Sequence, residues 1–465
     1  MIDFTRSFAD ISATEYWIYF SILAVIYAMF FKRPKWNLMT GFVFVLFNQG
    51  FFILMGESAR IPKLLISLLI IGMAIVIGFR IPRKVVLLSG LFYLFSILFF
   101  LNFFYYNLPI VLAILKYYNY LMPFMLFSNL RASELSEIEW DGIAKFILTL
   151  ITFQSVFSVV KLFVIGYLEG IIGSVTIAGG SMAVTLPLVG LLFYWIHKNE
   201  VIKGKDWYFV GYILIIGVAS LKRAIWFIYP ILLGLLLLKS ASFRRARTVA
   251  YASVLIPLVF YVGLRSNPTL NPEGIVWGSF DPEFALNYAF DYSGVSEEKR
   301  ETDLAQGRWG ASMAIIGNLN EQFFSAGGLL GFPSERSGSL DSEEFVAEDY
   351  GLKHGTMISG IGTMILKHGY LATLIMLSIY FLIITGIPDK FMRGTMYMLL
   401  IWNVFIYSGG FISTPTQAML FIMVCEYARV KYYAKSLRVQ QRRLAEYDRF
   451  ATKKRDDVIR DTKVS

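Results

Sequence analysis

The chain has 465 residues, of which 56% are hydrophobic and only 16% charged, whereas soluble domains carry about 25% charged residues. Its apolar residues come in blocks long enough to cross a hydrocarbon core, which takes about 20 residues, so composition excludes a soluble globular enzyme and predicts an all-α polytopic membrane protein. The net charge of +10 is spread over many short loops, which argues against nucleic acid as the partner, and a single cysteine, Cys425, excludes an intrachain disulfide.

The N-terminal stretch MIDFTRSFADISATEYW is polar and leads straight into the first apolar run, so no cleavable signal peptide is expected. About thirteen transmembrane helices follow, at 16–31, 38–56, 62–78, 84–101, 107–127, 143–165, 181–197, 207–221, 223–238, 248–264, 368–386, 395–411 and 414–431. The chain divides into an N-terminal bundle of about ten spans (1–264), a long extramembrane loop with helical parts (265–355), a C-terminal bundle of about three spans (356–431) and a basic tail (432–465).

Sidedness follows from Lys and Arg, which favour short cytoplasmic loops. Alternate loops read KRPK, RIPRK, SNLR, HKNEVIKGK, KSASFRRAR and DKFMR and hold sixteen basic residues, with the tail on the same side. The other side, the long loop apart, holds only Arg6, Arg60, Lys63, Lys222 and Arg223. The expectation is an N-terminus and long loop outside and a C-terminus inside.

The stretch ASLKRAIWF then puts Lys222 and Arg223 on the outside, against the local rule, between two apolar runs and with no turn residue. Charges at membrane depth are costly and mark substrate sites, and the arginine fork matches phosphate. Headgroup contact is the plainer alternative.

In the long loop, SNPTLNPEG is turn-rich and SGVSEEKRETD is a solvated charge run. WGASMAIIGNLNEQFF spaces Met313, Ile316, Leu319 and Phe323 at helical intervals, which predicts a helix starting near Arg308 with that face against the membrane. The Gly-rich turn SAGGLLGFPSERSG and the acidic DSEEFVAEDYG precede His354 in LKHGTM. There is no HExxH, no His or Cys cluster, no dinucleotide fingerprint and no Walker motif; no metal and no cofactor are expected.

An outward Arg at the top of a span, a long outer loop with a Gly-Arg pair, and a His before the last three spans resemble the bacterial O-antigen polymerase and O-antigen ligase superfamily. The matching residues are Arg223, ten residues ahead of Gly234; Gly307-Arg308 in QGRWGAS; the turn GGLLGFPS; and His354. The resemblance covers roughly 180–411. The family's His leads directly into a span, whereas Gly355 follows His354, and Gly369 lies about a helical turn late, so 357–367 is expected as a separate short helix.

The resemblance implies metal-independent inverting glycosyl transfer on the outer face of the bacterial inner membrane. Undecaprenyl-diphosphate-linked oligosaccharides would be the substrates, and O-antigen, capsule or exopolysaccharide the product. It implies a chain-length regulator and a repeat-unit flippase as partners, beside membrane lipids. Arg223 and Arg308 are the implied grips on the diphosphate, supported by Lys222 and Arg265. His354 is the implied general base, since an unperturbed imidazole titrates near 6.5. A carboxylate among Glu335, Glu343, Glu344, Glu348 and Asp349 is the other candidate base. Arg336 and Glu335 are placed at the diphosphate or glycan, and Trp277, Phe280, Trp309 and Tyr350 offer rings to sugar faces. A ligase moving the finished glycan to a lipid anchor would use the same donor site. A non-enzymatic lipid-oligosaccharide flippase would need paired halves and mid-membrane charges, whereas Lys116, Lys145 and Lys161 lie apart. The tail, KSLRVQQRRLAEYDRFATKKRDDVIRD, reads as a charged helix at the cytoplasmic surface.

Overall fold

The computed structural model describes residues 85–107, 110–165, 172–173, 181–202, 205–240, 246–293, 308–321, 323–332 and 358–464. The first three expected spans, at 16–31, 38–56 and 62–78, lie outside these residues. Every regular element described is helical. Helices α1 (Val86–Tyr105), α2 (Ile110–Ala132), α3 (Glu137–Ile165), α4 (Met182–His197), α5 (Asp206–Ser220), α6 (Arg223–Ser240) and α7 (Ala246–Ser266) precede the long loop. That loop contributes α8 (Pro282–Ser293), α9 (Arg308–Glu321) and a short α10 (Ala326–Leu330). Then come α11 (Gly360–Thr385), α12 (Lys390–Ile401), a single turn α13 (Gly410–Ser413) and α14 (Pro415–Val464).

Among the described residues three stretches, Val86–Tyr105, Glu137–Phe163 and Gly360–Thr385, are long and apolar enough to cross a membrane, with mean hydropathies of 2.1, 1.9 and 1.7. Helices α4 and α5 are apolar but have only 16 and 15 residues, short of the about 20 that a full crossing takes. The α4 helix is apolar on all sides, and every residue from Met182 to Ile196 is buried, so it forms the central stave of the bundle. At Gly190 a Cβ would stand 3.1 Å from Ile151 and 3.4 Å from Ile213, which lets α3 and α5 close on it from two sides.

Two helices are interrupted. In α11 the residue Gly369 has φ 73 and ψ 176, so the helix breaks there into Gly360–His368 and a longer second half. This is the separate short helix that the spacing before Gly369 predicts. The span expected at 395–411 is interrupted as well: α12 ends in a π-helical turn, Trp402–Ile406, and Gly409 is left-handed. The last helix starts at Pro415, whose missing N–H costs nothing at a first position. It then runs unbroken into the tail, where Tyr433, Leu437 and Leu444 are exposed.

One end of the bundle is an ion-pair network. Lys239 meets Glu200 at 2.8 Å and Asp389 at 2.6 Å, and Lys435 meets Glu200 at 2.9 Å. Lys431 bonds Glu137 and Asp141 at 3.0 and 2.8 Å, and the buried Glu426 takes both Arg131 and Arg429. Burial raises the Glu200 carboxyl, but the lysines outweigh it and hold the group below its usual range. The loops that the basic-residue pattern puts on one side thus touch one another through their acids. Acidification through the carboxylate range should loosen this end first, because a carboxyl held low in the folded state gives stability that is lost as the pH falls through its folded value.

Candidate functional site

The other end carries the cations singled out in the sequence. Helix α5 stops at Ser220 because Leu221 adopts a left-handed conformation, φ 52 and ψ 22, a role usually given to glycine. The buried Asn267 holds that turn by donating its Nδ2 to the Leu221 carbonyl at 2.7 Å. Close approach fixes the geometry further. A Cβ on Gly217 would stand 2.8 Å from Ile225, and one on Gly263 would run into the Trp226 ring. So the charged pair in ASLKRAIWF is a tight interhelical turn that needs no glycine of its own. Arg223 is the first residue of α6, with its guanidinium 5.1 Å above the Tyr288 ring of α8.

Arg308 has the same setting. It is the first residue of α9, and its guanidinium lies 5.2 Å above the Tyr407 ring, which stacks on Trp402 at 5.0 Å. Helix α9 is present where expected; its buried residues are Ala311, Ser312, Ile315 and Leu319, while Met313 and Phe323 are exposed. The reason is the partner. Ser312 Oγ and Ser359 Oγ share a hydrogen bond of 2.6 Å, and a Cβ on Gly362 would stand 2.6 Å from Ser312, so α11 accepts only small residues there. Gly360 N–H donates to the Tyr407 carbonyl at 3.0 Å, which ties the start of α11 to the ring beneath Arg308. Helix α8 packs on α9, so the Arg223–Tyr288 and Arg308–Tyr407 stacks belong to one connected assembly.

The turn GGLLGFPS has its own structural reason. Gly331 at φ 76 and Gly369 at φ 73 pass so closely that a Cβ on Gly369 would stand 2.3 Å from the Leu329 carbonyl oxygen. Phe332 N–H donates to Leu366 O at 2.6 Å, and the buried Asn102 of α1 donates to the carbonyls of Leu330 and Gly331. Beside this break, His368 Nε2 and the Tyr120 hydroxyl lie 2.5 Å apart, ringed by Phe95 and Phe99.

Arg265 is turned to a different task. Its Nε donates to Gly278 O at 2.7 Å, its guanidinium donates to the Tyr261 hydroxyl at 2.6 Å, and it lies 5.0 Å from the Trp277 ring. Lys222 and Trp309 are half-buried beside Arg223 and Arg308 in the chain. Glu335, Arg336 and His354 lie outside the described residues, as do Glu343, Glu344, Glu348, Asp349 and Tyr350.

Motif reasoning missed two kinds of residue here. Tyr288 and Tyr407 back the arginines from helices remote in sequence, and no spacing signals them. Lys161, set aside above as one of three scattered lysines, is buried on α3 in line with the buried Gln154, Ser155 and Ser158. The Tyr212 hydroxyl of α5 bonds the Thr152 carbonyl of α3 at 3.2 Å. Lys161 lies as far beyond Thr152 as Leu221 lies beyond Tyr212, toward the end of α3 opposite Glu137 and Asp141. The polar run at 154, 155, 158 and 161 is the sequence signal that could have marked it.

The chain matches no family model, no curated protein and no solved structure at a significant level.

Proposed function

We propose that this chain is a metal-independent inverting glycosyltransferase that polymerises undecaprenyl-diphosphate-linked oligosaccharide repeat units into O-antigen, capsule or exopolysaccharide. In this reading it has about thirteen spans in the bacterial inner membrane, with the N-terminus and the 265–355 loop outside and the tail in the cytoplasm. The observation that carries the reading is the setting of Arg223 and Arg308. Each begins a helix, where the peptide dipoles already point their positive end outward, and each guanidinium is backed by a tyrosine ring. A cation at a helix N-terminus opposes the dipole. Two such placements at the end remote from the ion-pair network suit a site built to hold an anion.

The chemistry follows from the leaving group. The acceptor sugar hydroxyl attacks the anomeric carbon of the donor glycan, the bond to the lipid diphosphate breaks, and the electron pair leaves on the phosphate oxygen. Fixed cations stabilise the charge that develops there. The acceptor proton passes to a general base, His354 or a carboxylate of the 335–349 stretch. The ligase reading shares this donor site and differs only in the acceptor.

The test is turnover. Purified protein in detergent should lengthen a synthetic undecaprenyl-diphosphate repeat unit with no nucleotide and with chelator present. Movement of that lipid across vesicles without a new glycosidic bond would make the protein a flippase. Activity lost to chelator and restored by a divalent metal would place it among metal-dependent transferases.

Topology has a separate check. Cys425 is buried, so a Cys425→Ala background should fold and carry single reporter cysteines. Glu273→Cys should react with an impermeant maleimide in intact spheroplasts, while Glu446→Cys should react only after lysis. The reverse pattern would invert the topology and remove the transfer reading with it.

A further inference from the structure

The loop between α7 and α8 has a tip, Ile275-Val276-Trp277, that is apolar and exposed at all three positions, by 56%, 37% and 52%. Three consecutive bare apolar side chains are unusual on a polar loop, and this tip is held rigidly. Trp277 has φ 70, a left-handed conformation that a bulky aromatic keeps only when its surroundings impose it. The buried Asn271 accepts from Ile275 N–H at 3.3 Å and donates to Ile275 O at 2.9 Å. Arg265 donates to the carbonyls of Gly278 and Trp277, and Gly278 N–H donates back to Arg265 O at 3.0 Å.

This backbone bonding is informative. A loop tip in water leaves its amides and carbonyls to the solvent, and side chains need not serve them. A tip that enters a medium poor in water must have them bonded internally. Here Asn271 bonds both backbone groups of Ile275, and Arg265 takes the carbonyls of Trp277 and Gly278.

Position points the same way. The exposed side of α7 carries Val254, Leu258, Tyr261 and Arg265 at helical spacing. The tip continues that stripe: Phe280 packs on Tyr261 with ring centroids 5.1 Å apart, and Trp277 lies against Arg265. Aliphatic residues giving way to Tyr, Arg and Trp at a helix end is the order in which side chains sort from hydrocarbon to headgroups. A sugar platform would present polar partners beside its rings. Here Asn271 is turned inward, and the Glu273 carboxylate accepts from Ser279 N–H and Oγ at 2.8 Å each.

We infer that residues 275–277 are a membrane anchor, dipping into the headgroup–acyl boundary beside α7 and setting the depth at which Arg265 and the adjoining arginine assembly sit. The occupant is the lipid interface, reached to about 5–10 Å as other interfacial apolar faces are. The inference needs α7 to span the membrane but does not need the transfer reaction.

The test uses the full-length Cys425→Ala protein in phosphatidylcholine–phosphatidylglycerol vesicles, with an environment-sensitive fluorophore on a single cysteine. The sites are Val276→Cys, Leu258→Cys as the α7 control and Leu444→Cys on the exposed tail. The label at 276 should emit to the blue of that at 444, be quenched by doxyl-labelled phosphatidylcholine as the label at 258 is, and resist aqueous iodide. A label at 276 that is red-shifted and iodide-quenched while 258 remains in lipid overturns the anchor. A label at 276 that leaves water only when the synthetic repeat unit is added would make the tip a glycan platform and overturn it equally. A label at 258 in water removes the span reading of α7 and the anchor with it, whatever the turnover assay shows.

Discussion

Arg223→Ala should reduce polymer formation about 10²–10³-fold, the usual cost of removing one well-placed charge donor from a developing anion. Single repeat units should accumulate while the protein keeps its level and thermal midpoint. The fold should survive because the α5–α6 turn is held by Leu221 and Asn267 and by the close contact of Gly217 with Ile225, none of which involves the guanidinium. Arg223→Lys should restore only part of the rate, since a point charge does not fork onto two phosphate oxygens and lacks the planar cation that lies over the Tyr288 ring. Tyr288→Leu should act in the same direction but more weakly, because it removes the backing and leaves the charge. Wild-type polymer length in Arg223→Ala would return these charges to the headgroup alternative.

Gly369→Val should have the largest effect on folding. The position has φ 73 and ψ 176, a region essentially confined to glycine, at a cost to other residues on the order of 1–3 kcal/mol. Its Cβ would also stand 2.3 Å from Leu329 O and 2.7 Å from Leu330 N, both backbone atoms that cannot swing aside. Relief requires moving the 326–332 turn off α11, which breaks the bond from Phe332 N–H to Leu366 O and strips Asn102 of its carbonyl partners. Against a total stability of about 5–15 kcal/mol, the sum should leave little folded protein in detergent. Size-exclusion profiles and thermal midpoints would show it. Gly90→Ala is the control: nothing lies within 4 Å of its Cβ in the second turn of α1, so it should be neutral or stabilise by up to about 1 kcal/mol. A wild-type midpoint for Gly369→Val would mean that the break in α11 is not needed.

The two substitutions separate two kinds of residue at the same end of the bundle. Arg223 is expected to matter for turnover and hardly for folding, and Gly369 the reverse. Asn102 belongs with Gly369: it is buried on a mostly apolar helix, and its Nδ2 is spent on the glycine turn.

Much of the architecture is local, and the sequence by itself determined it. Apolar runs of about 20 residues between charged punctuation place α1, α3 and α11, because in hydrocarbon the backbone must satisfy itself within the segment. The start of α9 at Arg308 and the short helix before Gly369 were legible for the same reason, since periodicity and glycine spacing are short-range signals. The charged tail helix was legible too. What the tertiary structure alone decided depends on partners far along the chain. That Ala311, Ser312 and Ile315 join Leu319 in the buried face of α9 was decided by the small residues of α11, which the spacing of Met313, Ile316, Leu319 and Phe323 does not signal. The basic loops were legible as a count of charges, but their pairing with Glu137, Glu200, Asp389 and Glu426 joins segments up to 300 residues apart. The same holds at the opposite end. Arg223, Arg265 and Arg308 look alike as cations in sequence, and only packing puts Tyr288 and Tyr407 under two of them and binds the third to the backbone of a loop tip. Helix formation reads neighbours a few residues away, whereas the environment of a charge is supplied by whatever the fold brings to it.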